Sequence, residues 1–281
     1  MVDFRKPKVA ICYDFDKTLS PKNMQDFEFI KNLGLTEEEF WSVCANTSEN
    51  SIADGILVYM LEMIRVAKQK GIIIKKEDLF NLGKNIKFFD GVESWFQRIN
   101  NFAELIGVEV EHYILSSGLR QIIMGTPIAK FFKEIFACEY IYDENNRPIW
   151  PAIAINYTNK TQFLYRINKG ILNVIDDRVN DNMEHELRPI PFSQIIYIGD
   201  SQTDIPCMRL VMKNDGTAIG VYQNDANKKY LKDLIRGNKI NFIMKADYTQ
   251  NSDLEILVKD TMQNIKCINN LKLLNKIQKE N

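Results

Sequence analysis

Apolar and polar positions follow two rhythms along this chain. Short apolar runs bounded by polar clusters occur at residues 9–13, 112–115, 135–142, 195–198, 217–221 and 242–244. Runs of this length predict buried strands. Between them, apolar residues recur at helical spacing. Phe27, Phe29, Ile30 and Leu33 precede Gly34 and predict a helix from Gln25 that ends at the glycine. Thr36 with Glu39 is a capping-box signature opening a second helix through Phe40 and Val43. The spacing predicts further helices over 52–67, 76–82, 93–105, 119–124, 128–132, 206–212 and 253–279. Thr158-Asn159-Lys160 opens another, closed by Gly170. Residues 143–148 predict a turn with 149–157 returning as a hairpin arm, and the charged stretch 176–188 reads as a solvated helix or loop.

Strands alternating with helices imply an α/β fold, a doubly wound and mostly parallel sheet. Only Ile72-Ile73-Ile74 has a strand-like look between the first and second strands. Residues 20–85 therefore read as a small helical cap inserted into a discontinuous core of residues 1–19 and 86–281.

Composition narrows the function. Hydrophobic residues make up 45% of 281 positions and charged residues 26%, with a net charge of −1. That is an ordinary globular balance, with no basic stripe to attract nucleic acid or an anionic membrane surface. No uncharged apolar run is long enough to span a bilayer. The N-terminal charges Asp3, Arg5, Lys6 and Lys8 are followed by no signal-like apolar stretch. Cys12, Cys44, Cys138, Cys207 and Cys267 are widely spaced and odd in number, which suits reduced thiols and a cytoplasmic protein.

Three predicted strands end in polar groups: Asp14 and Asp16 after the first, Ser116 and Gly118 after the second, Asp200 and Asp204 after the fifth. In a parallel sheet these ends share one edge, where ligands bind in open α/β folds. Lys160 stands at a predicted helix start and adds a cation, with Lys169 its nearest rival. Clustered carboxylates suit Mg²⁺, and a carboxylate also serves as a nucleophile toward phosphorus. His112 and His185 have no partners at metal-ligand spacing and read as structural. Trp95 and Trp150 read as core residues, as does Trp41, with the alternative that Trp41 faces the site.

Asp14-Phe15-Asp16-Lys17-Thr18 resembles the first motif of the haloacid dehalogenase-like superfamily. Leu115-Ser116-Ser117-Gly118 resembles its second, Lys160 sits where its third-motif lysine belongs, and Gly199-Asp200-Ser201-Gln202-Thr203-Asp204 is similar to its fourth. The helical insertion is similar to the cap of the phosphoserine-phosphatase-like branch. The resemblance implies a Mg²⁺-dependent phosphatase that forms an aspartyl-phosphate. Asp14 would be the nucleophile and a metal ligand, and Asp16 the general acid/base and a ligand through its carbonyl. Asp200 would be a further ligand, Asp204 and Thr18 supporting residues, and Ser116, Gly118 and Lys160 the phosphate holders. The partner implied is a small phosphorylated metabolite. Phosphotransfer through the same intermediate, or phospho-acceptance without turnover, stays open. Pro21-Lys22-Asn23-Met24-Gln25 lacks the glutamates that the phosphoserine enzyme carries there, so the substrate does not carry over. Arg65 is a candidate reader of a substrate carboxylate.

Overall fold

The computed structural model describes residues 6–280; Asp3, Arg5 and the ends of the expected core segments at 1–5 and 281 lie outside them. After β1 (Lys8–Tyr13) come four helices, α1 (Phe29–Asn32), α2 (Glu37–Ser51), α3 (Gly55–Gln69) and α4 (Lys76–Leu82). The chain continues through α5 (Val92–Ile106), β2 (Glu109–Leu119), α6 (Arg120–Met124), β3 (Phe132–Tyr142), β4 (Pro148–Ile153) and α7 (Thr161–Lys169). β5 (Ile195–Gly199), α8 (Ile205–Lys213), β6 (Thr217–Tyr222), α9 (Asp225–Arg236), β7 (Phe242–Lys245) and α10 (Asp253–Glu280) complete it. One seven-stranded sheet results, ordered β4-β3-β2-β1-β5-β6-β7. Every neighbouring pair is parallel except β3–β4, an antiparallel hairpin. The expected α/β sheet and hairpin arm are both present.

β1 is central and, beyond Lys8, fully buried, as a run of Val9, Ala10, Ile11, Cys12 and Tyr13 should be in a strand covered on both faces. A buried polar chain fixes it from one side. Trp95 Nε1 donates to the Tyr13 hydroxyl (2.9 Å), which meets His112 Nδ1 (3.0 Å), while His112 Nε2 meets Asn100 Oδ1 (2.9 Å). With Trp95 donating, Tyr13 is free to donate to Nδ1 and the Nε2 proton goes to Asn100. Burial pushes His112 down to about 3, so it stays neutral and structural.

Several local expectations fail for identifiable reasons. The helix expected from Gln25 is a 3₁₀ turn at Met24–Asp26 and then only α1, because Met24 N is drawn to Asp16 Oδ1 (2.9 Å) and Asp26 is held by Asn23 and Trp41. The capping box of Thr36 and Glu39 does open α2. α2 ends at Ile52, at φ +51°, and α3 starts at Gly55, capped by Asp54, which accepts from the Ile56 and Leu57 amides. Residues 72–74 form no strand and join neither edge of the sheet. Residues 129–131 make one 3₁₀ turn, and β3 takes Phe132. The 176–188 stretch, by contrast, takes the loop alternative expected of it, with two 3₁₀ turns, and His185 there is exposed. α9 went unforeseen, since only Leu231 and Leu234 of its twelve residues are buried. Trp95 is core, whereas Trp150 is 68% exposed on the outer hairpin strand. Cys12, Cys44, Cys138 and Cys207 are buried free thiols and Cys267 is exposed. Among the described residues no helix is long and apolar enough to cross a membrane.

Candidate active site

β1, β2 and β5 are adjacent and parallel, so their carboxyl ends open on one edge and bring residues far apart in sequence together. Asp14 follows β1 directly, and its amide donates to Ile198 O of β5 (2.9 Å). The chain then folds back on Phe15 O, which accepts from the amides of Leu19 (2.9 Å) and Ser20 (3.2 Å), with Lys17 in the left-handed region at φ +60°. That turn points Thr18 Oγ1 at Asp200 Oδ1 (3.1 Å), and the Tyr248 hydroxyl anchors the turn through Thr18 O (2.9 Å).

Lys160 comes from the 3₁₀ turn before α7, a turn closed by Asn159 Oδ1, which accepts from the Asn156 amide (2.7 Å), rather than by Thr158. Its side chain is wholly buried, with Nζ 3.1 Å from Asp14 Oδ1 and 2.6 Å from Asp204 Oδ1. Asp204 is saturated. Its Oδ1 also accepts from Tyr197 (2.7 Å), and its Oδ2 accepts from the amides of Asp200 (3.2 Å) and Ser201 (3.1 Å) and from the Ser201 hydroxyl (3.1 Å). Lys169, the rival lysine, donates instead to the carbonyls of Val179 and Asp181, bracing a loop.

On β2, Ser116 Oγ accepts from the Gly118 amide (3.0 Å). A Cβ on Gly118 would lie 2.1 Å from Met24 Cε, so only glycine admits the methionine, whose sulfur accepts from the Leu119 amide (3.1 Å). Gly118 is thus occupied internally and does not line the cavity formed here. Arg65 does not reach it either. It lies nine residues beyond the lining residue Ile56, which is half a turn out of phase at 3.6 residues per turn, and it is exposed beside Glu62 (3.3 Å).

The cavity measures about 260 Å³. Asp14, Asp16, Ser116 and Asp200 line it from the core. The facing wall is the helical segment, through Asn23, Gln25, Trp41, Ile56 and Tyr59. Of these only Trp41 was singled out beforehand. The others carry no charge and follow no motif, although Tyr59 shares the apolar stripe of α3. Lys17, Ser117, Ser201 and Thr203 also line the cavity and lie inside or beside the recognised motifs.

Negative charge exceeds positive charge at the sheet edge. Burial, then Asp204, pushes Asp14 up to about 7 against the pull of Lys160. Burial, then Asp14, raises Asp16 well above the usual carboxylate range. Burial, then Asp204 and Asp14, does the same to Asp200. Lys160 is raised despite its burial because Asp14 and Asp204 flank it. Carboxylate oxygens of Asp14, Asp200 and Asp204 all lie within 4.8 Å of one another. With Asp204 committed to its hydrogen bonds, Asp14 and Asp200 are the oxygen donors left for a hard divalent cation, and the unbalanced charge fits one.

No family model matches the sequence. The chain is 28% identical to an uncharacterized protein of Borreliella burgdorferi, over 89% of this chain and 95% of that protein. Among solved structures it is similar to a HAD family hydrolase from Salmonella enterica serovar Typhi, with TM-score 0.57, 16% identity, 91% of this chain and 71% of that one. It is also similar to a phosphoserine phosphatase captured as a phospho-aspartyl intermediate analogue, with TM-score 0.55, 17% identity, 90% of this chain and 99% of that one. A substrate-bound phosphoserine phosphatase complex matches with the same score and identity, over 90% of this chain and 98% of that one. The chain has the haloacid dehalogenase-like fold in its phosphoserine-phosphatase-like form.

Proposed function

We propose that the protein is a Mg²⁺-dependent phosphatase that hydrolyses a small phosphomonoester through an aspartyl-phosphate on Asp14. The observation that carries this reading is the convergence of Asp14, Asp200 and Asp204 around the buried Lys160 at one sheet edge. Asp14 and Asp200, with the Asp16 carbonyl, would hold Mg²⁺, which when bound supplies positive charge to the phosphoryl oxygens. Asp14 attacks phosphorus, and the bond to the alcohol oxygen breaks as the bond to Asp14 forms. Asp16, held by the Met24 amide, gives its proton to the departing alcohol. It then takes a proton from the water that attacks the phosphorus, which frees phosphate and restores Asp14. Ser116 binds a phosphoryl oxygen, and Lys160 keeps Asp14 ionised and oriented. Gly118 contributes space for Met24. The segment 20–85 acts as a cap that closes over the substrate and excludes water.

Asp14→Asn is expected to lower kcat on p-nitrophenyl phosphate by on the order of 10⁴-fold or more with unchanged circular dichroism. EDTA is expected to abolish activity and Mg²⁺ to restore it. Full activity in the variant, or in EDTA, refutes the mechanism.

A further inference from the structure

Resting on the phosphatase reading, we infer that the alcohol released is small and uncharged and bears a second hydroxyl, which distinguishes it from serine. The wall facing the carboxylates is neutral. Asn23, Gln25, Trp41, Ile56 and Tyr59 bring amides, rings and an alkyl chain to the cavity, and no arginine, acid or histidine. A substrate carboxylate would find only Lys17 there, and Lys17 is exposed and lies on the opposite side, where it steadies Asp16 and Asp200. An ammonium would find no counter-charge on this wall. Asp26, next to Gln25, does not line the cavity, and its carboxylate already accepts from Trp41 Nε1 (2.8 Å) and Asn23 Nδ2 (3.0 Å).

Two buried polar atoms at this cavity have no partner: the amide oxygen of Gln25, a residue only 2% exposed, and the hydroxyl of Ser117. Leaving such groups unpaired is costly, and a ligand hydroxyl between these two lining residues would relieve both. A hydroxyl suits both, because it gives its one proton to the Gln25 oxygen and accepts from the Ser117 hydroxyl. The Trp41 and Tyr59 rings and Ile56 supply an apolar surface for the carbon skeleton. At about 260 Å³ the cavity is smaller than the roughly 300–1,000 Å³ of ordinary ligand pockets, which limits the alcohol to a few carbons.

The test is an isosteric series of 2-hydroxyethyl phosphate, propyl phosphate and phosphoethanolamine, which differ only in a terminal hydroxyl, methyl or ammonium, together with O-phosphoserine and p-nitrophenyl phosphate. The wild-type protein is expected to show kcat/KM for 2-hydroxyethyl phosphate at least tenfold above each of the other three alkyl esters. Gln25→Glu places a counter-charge on the wall and is expected to raise the ratio of phosphoethanolamine to 2-hydroxyethyl phosphate at least tenfold. Should that variant not fold, the wild-type series alone decides. Preference for phosphoserine, phosphoethanolamine or propyl phosphate overturns the inference, as does an unmoved ratio in folded Gln25→Glu. Hydrolysis of no ester, p-nitrophenyl phosphate included, overturns the phosphatase reading and the inference with it.

Discussion

The two walls of the cavity are built on opposite principles. The core wall is charged, knit by hydrogen bonds among its charged groups and carried by strand ends: Lys160 between Asp14 and Asp204, Tyr197 behind Asp204, Thr18 against Asp200. The wall from residues 20–85 is neutral, contains the unpartnered Gln25 oxygen and is carried by helix faces and an irregular turn. Several hydrogen bonds tie it to the core, among them Met24 N to Asp16 Oδ1 (2.9 Å) and Lys76 N to Asn146 O (2.8 Å). Tyr59 donates to Ser117 O (2.7 Å), Asn156 Nδ2 to Asp54 Oδ2 (2.6 Å), and Tyr140 to Met60 O (2.7 Å). In the proposed reaction, phosphoryl transfer needs fixed electrostatics and substrate choice needs an adaptable surface, and the two demands would fall on separate parts of the chain.

Breaking the core wall should have the largest effect. Lys160→Met leaves Asp14 and Asp204 buried beside each other without their cation, and a loss of about 3–5 kcal/mol in urea-unfolding stability is expected. A variant as stable as the wild type would show that the acids share a proton instead of needing the ammonium.

The support under that wall is tested by pH. His112 takes up its proton near pH 3 when folded and near 6.5 when unfolded, so unfolding binds a proton between those values. Its contribution is complete above pH 6.5 and declines as pH falls, by up to about 1.4 kcal/mol per pH unit. Urea titrations at pH 7, 6 and 5 should show this decline set against the opposing gain from Asp14, Asp16 and Asp200, whose raised values let the folded protein take up protons first, and His112→Gln should remove it. Equal slopes in the two proteins would count against a neutral His112.

The opposite wall should yield least. Tyr59→Phe removes one hydrogen bond between α3 and the end of β2, at an expected cost of about 1 kcal/mol. Its clearest sign should be faster hydrogen exchange in α2 and α3 with β1 and β5 unchanged. Equal acceleration in the strands would mean that the two walls move as one body.

The same division decides what was legible in the sequence. Asp14, Asp16, Ser116 and Asp200 announce themselves because an acid or hydroxyl closing a buried strand has few explanations, and parallel topology fixes where such ends meet. Lys160 was recognisable only by its place after the second motif, yet it lands between two of those acids. Arg65 misled because an arginine on a helix says nothing about which face turns inward. Gln25 and Asn23 were passed over because their geometry comes from a single long-range bond, Met24 N to Asp16, which displaced the expected helix. α9 was invisible for the complementary reason that two buried leucines in twelve residues leave too thin a stripe.

The pairing of β1 also constrains how the protein acquires its site. Ala10 lies against Ile195, and the Asp14 amide closes on Ile198, so the strand that carries the proposed nucleophile completes its hydrogen bonding only with chain made much later. Contacts of such sequence separation form slowly, because a long loop must close before they are rewarded. A ribosome that has released residues 1–190 holds β1 with one edge still open and Asp14 without Asp200 or Asp204. The charge cluster should therefore appear late and abruptly during synthesis, when β5 docks and assembles it in one step.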